Sequence, residues 1–361
     1  MTRDDRLAAH LEVALGEWPA ALLGAGGVSS LRRVARGFPR EVAGLFAECH
    51  LSHPERTDLV ARVVAADRVA LRDGGSCPES FIPFVRHWCD PTHAAHQLPA
   101  IDIEWDMDGG QPFLCPYFEP DLIRGHRAIE ARRRQRASLG EERLALTHGP
   151  AVLRALDPSI PEAWFERLAE CVHALPEYGV LIPGWSQLTR PGGAARPALR
   201  VIIALPRQAL ASYLERLRWV GSVSEALTSM NLLRPSSPWI GFDADVCDGG
   251  LGPRLGFYQE HQCVCGNDPD IAGALDRLER LGWCDVERLG GLRDWVRRRA
   301  SQPALGDGRS LSLKLVVGAP GAEAQCSPAG AIRPVVKAYI STFDVPVAMR
   351  RSETAVLDAD R

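Results

Sequence analysis

The chain has 361 residues, 46% of them hydrophobic and 24% charged, the balance of a globular protein rather than a disordered or fibrous one. Its formal net charge of −3 supplies no field that would draw it to nucleic acid or to an anionic membrane. No apolar run approaches the roughly 20 residues that span a bilayer. Met1–Asp5 leads with mixed charge into an amphipathic stretch, which argues against a secretory signal and for a cytoplasmic protein.

Before residue 100 the pattern is weaker than after it. The spacing of apolar residues predicts helices over Asp4–Leu23 and Arg40–Cys49, a hairpin over Asp58–Leu71 and a helix over Glu79–Trp88. From residue 100 onward, β-rich segments come in pairs separated by turn residues. Ala100–Asp106 and Phe113–Phe118 flank Asp108-Gly109-Gly110, and Gly179–Leu188 and Ala198–Leu205 flank Pro191-Gly192-Gly193. Trp239–Val246 and Arg254–His261 flank Asp248-Gly249-Gly250, while Ser310–Val317 and Val335–Thr342 are joined by the Gly/Pro/Ala-rich segment Gly318–Pro334.

Helical signals fill the gaps. Ile123–Leu146 is strongly basic and reads as a solvated helix. Ser159-Ile160-Pro161-Glu162 reads as a capping box, followed by the stripe Trp164, Leu168, Cys171 and Val172. Pro206 opens a helix with Leu210, Leu214 and Leu217 on one face, and a shorter helix spans Val223–Leu232. Asp268-Pro269 and Asp285 start the next two.

The resulting rhythm is an α+β fold of repeated ββαα units. Closure into an antiparallel β-barrel surrounded by helices would remove exposed sheet edges. No long linker divides the chain, so residues 1–345 read as one domain and 346–361 as a C-terminal tail.

Strand alternation sorts the chemistry onto one face. Asp102, Glu104 and Asp106 share a side, as do Gly241, Asp243 and Asp245. Arg254, Gly256, Tyr258 and Glu260 share another, as do Ser312 and Lys314, and Lys337, Tyr339 and Ser341. With helices outside, these polar faces point inward, where charges must be paired with one another, hydrated or bound to a ligand. Lys314 and Lys337 are the only lysines among 42 basic residues, which marks both as candidates for a requirement for ammonium.

Several other constellations carry less chemistry. His87, Cys89, His93 and His96 have the side chains of a zinc site, but their spacing fits no standard motif and Asp90-Pro91 breaks any helix carrying them, so no metal is expected. The ten cysteines are scattered and read mostly as free thiols in a reducing compartment. No nucleophile elbow, phosphate-binding loop or dinucleotide fingerprint occurs.

Four short strands resemble those of the aromatic prenyltransferases, a family that includes fungal indole prenyltransferases and cyanobactin peptide prenyltransferases. They are Ala100-Ile-Asp-Ile-Glu-Trp105 with Tyr117-Phe-Glu-Pro120, then Arg254-Leu-Gly-Phe-Tyr258, then Val336-Lys-Ala-Tyr339. The resemblance covers residues from about 100 to 342 and implies a barrel that moves an allylic group from a diphosphate to an aromatic small molecule or a peptide side chain. It implies that Arg254, Lys314 and Lys337 bind the diphosphate, that Tyr258 and Tyr339 shield the allylic cation, and that Asp102 or Glu104 takes the proton. Arg200 and Asp243 join the substrate-binding set. No Asp-Asp-x-x-Asp motif occurs, so no metal or other cofactor is expected. The chain departs from the family pattern at Gly256, Cys115, Ile202 and Ile203, where polar or cationic residues are expected. That depletion supports a second reading, a non-catalytic or differently catalytic barrel that binds a peptide or metabolite in a pathway for modified peptides.

Overall fold

The computed structural model describes residues 6–35, 44–52, 56–73, 81–105, 113–117, 149–176, 179–188, 196–233, 237–262, 269–300, 310–318 and 334–343. Ten strands form one antiparallel sheet built from five hairpins: β1 (Gly44–His50) with β2 (Thr57–Val64), β3 (Ala100–Trp105) with β4 (Phe113–Tyr117), β5 (Val180–Leu188) with β6 (Arg196–Pro206), β7 (Trp239–Cys247) with β8 (Gly250–Gln262), and β9 (Ser310–Gly318) with β10 (Val335–Phe343). Neighbours in sequence pair along the sheet, and β1 pairs with β10, so the first hairpin joins the last. The protein is therefore α+β, with helices between successive hairpins.

The expected closed barrel is corrected in one respect. Among the described residues no ladder joins β4 to β5, so the sheet is open at that seam. These two end strands nevertheless come close together, which curls the sheet and makes one of its faces concave.

The four hairpins expected after residue 100 form within a few residues of their expected bounds. Three expectations before that point are overturned. Arg40–Cys49 contains strand β1 instead of a helix, and Asp58–Leu71 supplies only β2 before turning into a short 3-10 turn and the helix Arg68–Asp73. The helix Asp4–Leu23 is interrupted near Pro19, which lacks the N–H a continuing helix needs, giving Arg6–Glu17 and Ala20–Leu23. The Ser159 capping box does not form either: Pro161 is the N-cap of Glu162–His173, and the Ser159 hydroxyl and amide both donate to Asp157. The Ile123–Leu146 helix, Asp106, and the tail 346–361 lie outside the described residues.

Apolar side chains from alternate strand positions, including Leu45, Ala61, Ile103, Val201, Phe257, Leu313 and Ile340, are buried on the convex face. The helices cover them with Leu11, Trp18, Trp88, Leu168, Tyr213, Leu278 and Trp295. Removing this area from water drives the fold, at roughly 25 cal/mol per Å² of apolar surface. Cys49 and Cys171 serve as buried thiols in this layer, and burial pushes the Cys49 thiol up to about 12. Among the described residues no helix is long and apolar enough to cross a membrane.

Among the described strand residues, Gln259 breaks the pattern without a hydrogen-bond partner. Gln259 of β8 points to the same side as Leu255 and Phe257, where the helix Val223–Leu233 packs on β8 and β9. It is 1% exposed, and neither atom of its amide has a hydrogen-bond partner. An unsatisfied buried group costs about 1–3 kcal/mol. Gln259→Met, similar in length and free of such atoms, is expected to raise the urea unfolding free energy by about 1 kcal/mol or more. A loss of stability would show instead that the amide is bonded in solution.

Candidate functional site

The concave face collects the polar residues that alternation assigns to it. Glu48 and His50 come from β1, Asp58 and Arg62 from β2, Asp102 and Glu104 from β3, and Arg200 from β6. Asp243 and Asp245 come from β7, Arg254 and Tyr258 from β8, Lys314 from β9, and Lys337 and Tyr339 from β10. Glu104, Arg200, Asp243, Arg254, Lys314, Lys337 and Tyr339 line one cavity, together with Glu48, Arg56, Asp58, Asp245 and Gly256. Its volume is about 60 Å³, room for roughly four waters.

Two ion-pair clusters occupy its walls. In the first, Lys314 Nζ donates to Asp243 Oδ2 at 2.8 Å, and Arg200 Nε donates to Asp245 Oδ1 at 3.0 Å while lying 3.6 Å from Asp243 Oδ2. The Lys314 ammonium sits 4.8 Å from the centroid of the Tyr258 ring, whose hydroxyl helps hold the Asp243 carboxyl down. Burial resists ionisation of Asp243, yet Lys314 and Arg200 outweigh it and hold the carboxyl below its ordinary value. Burial likewise opposes the charge on Arg200, and Asp245 and Asp243 raise its pKa well above the usual value in spite of it.

In the second cluster, Lys337 Nζ donates to Glu48 Oε1, and Arg56 Nε donates to Asp58 Oδ2 at 3.1 Å. His50 Nε2 lies 3.0 Å from both Glu48 Oε1 and Asp58 Oδ2. Burial, reinforced by the charge of Glu48, pushes the Tyr339 phenol well above its ordinary pKa, and burial does the same to Tyr258. Burial works against Glu48 too, but Lys337 and His50 hold its carboxyl well below the usual range. The buried Arg288 anchors this corner from behind by donating to the carbonyls of His50 and Arg56 at 3.1 and 2.7 Å.

Glu104 stands apart from both clusters. Among the described residues it is the one cavity carboxylate without an ion-pair partner. Burial, reinforced by the negative charge of Glu48, pushes its carboxyl up to about 8, although Arg200 and Lys337 pull the other way. The lining holds five cations (Arg56, Arg200, Arg254, Lys314 and Lys337) and five carboxylates (Glu48, Asp58, Glu104, Asp243 and Asp245). With Glu104 protonated near neutral pH, the cations outnumber the charged carboxylates by five to four.

Asp102 does not line this cavity. It is buried opposite Arg62, which donates to it through two nitrogens at 2.6 and 2.7 Å. That bidentate pair occupies both carboxylate oxygens of Asp102, so of the two acidic candidates only Glu104 lines the cavity. Sequence reading missed Glu48, His50, Arg56 and Asp58. The available signal was the alternation of Phe46, Glu48 and His50 with Leu45, Ala47 and Cys49.

His87 and His93 stack at 4.2 Å, His93 Nδ1 accepts from the Ala95 amide, and His96 Nε2 lies 2.8 Å from an Arg68 nitrogen. Glu48, His50 and Asp58 do bring ligand atoms within 4.8 Å of one another. The same carboxylate oxygens already accept from Lys337 and Arg56, so a divalent cation would have to displace two fixed charges. No protein-family model matches the chain, and no curated protein is significantly similar to it.

Proposed function

We propose that the concave face is the reaction chamber of a metal-independent transferase of the aromatic prenyltransferase type, acting on an aromatic small molecule or a peptide side chain. The observation that carries this reading is Glu104, an unpaired carboxyl whose pKa of about 8 suits a group that must take a proton near neutrality. Lys314, Lys337, Arg254 and Arg200 face the same cavity and supply the several cations a diphosphate needs. Tyr258 already carries an ammonium over its ring, and Tyr339 lies opposite Ser312 on the neighbouring strand. Both rings offer negative faces to a positive allylic carbon. In the reaction the allylic C–O bond breaks and the diphosphate leaves with the electron pair. The acceptor bonds to the carbon, and the proton it loses goes to the Glu104 carboxylate.

The near balance of charges in the lining favours a second reading, a chamber that binds a peptide or metabolite without this chemistry. Calorimetry with dimethylallyl thiodiphosphate separates the two. The transferase reading expects binding by the unmutated protein and roughly tenfold or greater weakening in Lys337→Ala, the loss of one charge-assisted contact. Absence of binding to the unmutated protein gives the chamber to the second reading.

A further inference from the structure

The Lys314–Asp243 pair skips a strand. Asp243 lies on β7 and Lys314 on β9, with β8 between them; Gly256 is opposite Asp243, and Tyr258 is opposite Lys314. The ammonium and carboxylate meet over Gly256 at 2.8 Å, with both side chains 6% exposed. A Cβ at position 256 would stand 2.0 Å from Asp243 Oδ1 and 2.4 Å from Lys314 Cε, far inside contact distance. Gly256 is not among the glycines with positive φ, so its backbone does not demand glycine. What demands it is the space the ion pair fills.

We infer that Asp243 is a built-in stand-in for the ligand's anion: it holds Lys314 across the gap at Gly256, and an incoming diphosphate competes with it for that lysine. The inference rests on the anion-binding part of the transferase reading. It makes Asp243 a positioning residue, because its carboxylate also lies 3.6 Å from Arg200 Nε. Two cations facing the chamber are thus kept in place by one carboxylate until a stronger anion arrives. The latch also keeps a buried ammonium from standing uncompensated when no ligand is present.

The sign of the expected effect is unusual, since removing a polar contact should tighten binding. Inorganic diphosphate is titrated by calorimetry into the unmutated chain, Asp243→Asn and Gly256→Ala, with folding followed by near-UV circular dichroism. Asp243→Asn removes the competing charge at nearly constant shape. Gly256→Ala keeps every charge and wedges a methyl group into the pair. Both variants are expected to bind at least about tenfold more tightly than the unmutated chain, the worth of one charge-assisted contact. Adding Lys314→Ala to Asp243→Asn should abolish the gain, which a merely structural role for Asp243 would not require. If the unmutated chain binds and neither variant binds more tightly, the latch is wrong and the anion site stands. If none of the three binds diphosphate, the anion site itself is wrong, and the latch falls with it.

Discussion

Asp102→Asn is expected to destabilise the fold by about 3 kcal/mol or more, because it removes one partner of a buried ion pair and leaves the other charged. Arg62 and Asp102 face each other across β2 and β3, 7% and 3% exposed, and are joined by two short hydrogen bonds. Arg62 also lies 5.2 Å over the Phe46 ring, so its guanidinium is fixed from a second side and cannot simply turn to solvent. An asparagine keeps the shape but can neutralise nothing. Urea unfolding measures the loss. Arg62→Met combined with Asp102→Asn should recover much of it, since no buried charge then remains unpaired. A single-variant loss below about 1 kcal/mol would place the pair among weak surface bridges and reopen Asp102 as a base.

Glu104→Gln is expected to lower turnover by about 10²–10⁴-fold, the usual contribution of a positioned general base. In the unmutated protein the rate should rise with pH through about 8, where this carboxyl loses its proton, and the variant should lack that limb. Stability must move in the opposite direction. Folding favours the protonated acid, with a pKa of about 8 against the ordinary 4.5 expected of the unfolded chain. Between those values the unfolded chain has released its proton and the folded one has not, so each rise in pH costs stability. The melting temperature of the unmutated protein should therefore fall relative to Glu104→Gln as pH climbs from about 4.5 to about 8, with the gap constant above that. A folded variant with undiminished turnover would put the base elsewhere.

Much of this architecture was legible because β-rich segments and turn glycines repeat from residue 100 onward. At β7 and β8 the hairpin turns at Asp248-Gly249-Gly250, with Gly250 at φ 107, a conformation glycine adopts without strain. The polar face was legible from the same alternation. β1 was not, because Val42, Leu45, Phe46 and Cys49 fit helical spacing as well as Leu45, Ala47 and Cys49 fit a strand. That single ambiguity concealed Glu48 and His50 and with them the partner of Lys337. The fate of Asp102 was hidden for a different reason: Arg62 is 40 residues away, and only the register of β2 on β3 brings the two together. The β4–β5 seam depends on how far the whole sheet curls, which no local pattern encodes.

If allylic transfer takes place on the concave face, a crystal structure with dimethylallyl thiodiphosphate should show the donor bound there. The diphosphate is expected on Lys314 and Lys337, with Lys314 drawn away from Asp243. The allylic carbon is expected between the rings of Tyr258 and Tyr339, on the side facing Glu104. A ligand bound outside the concave face, or inside it with both lysines still on Asp243 and Glu48, would mean that these lysines do not hold the diphosphate of a transferred allylic group.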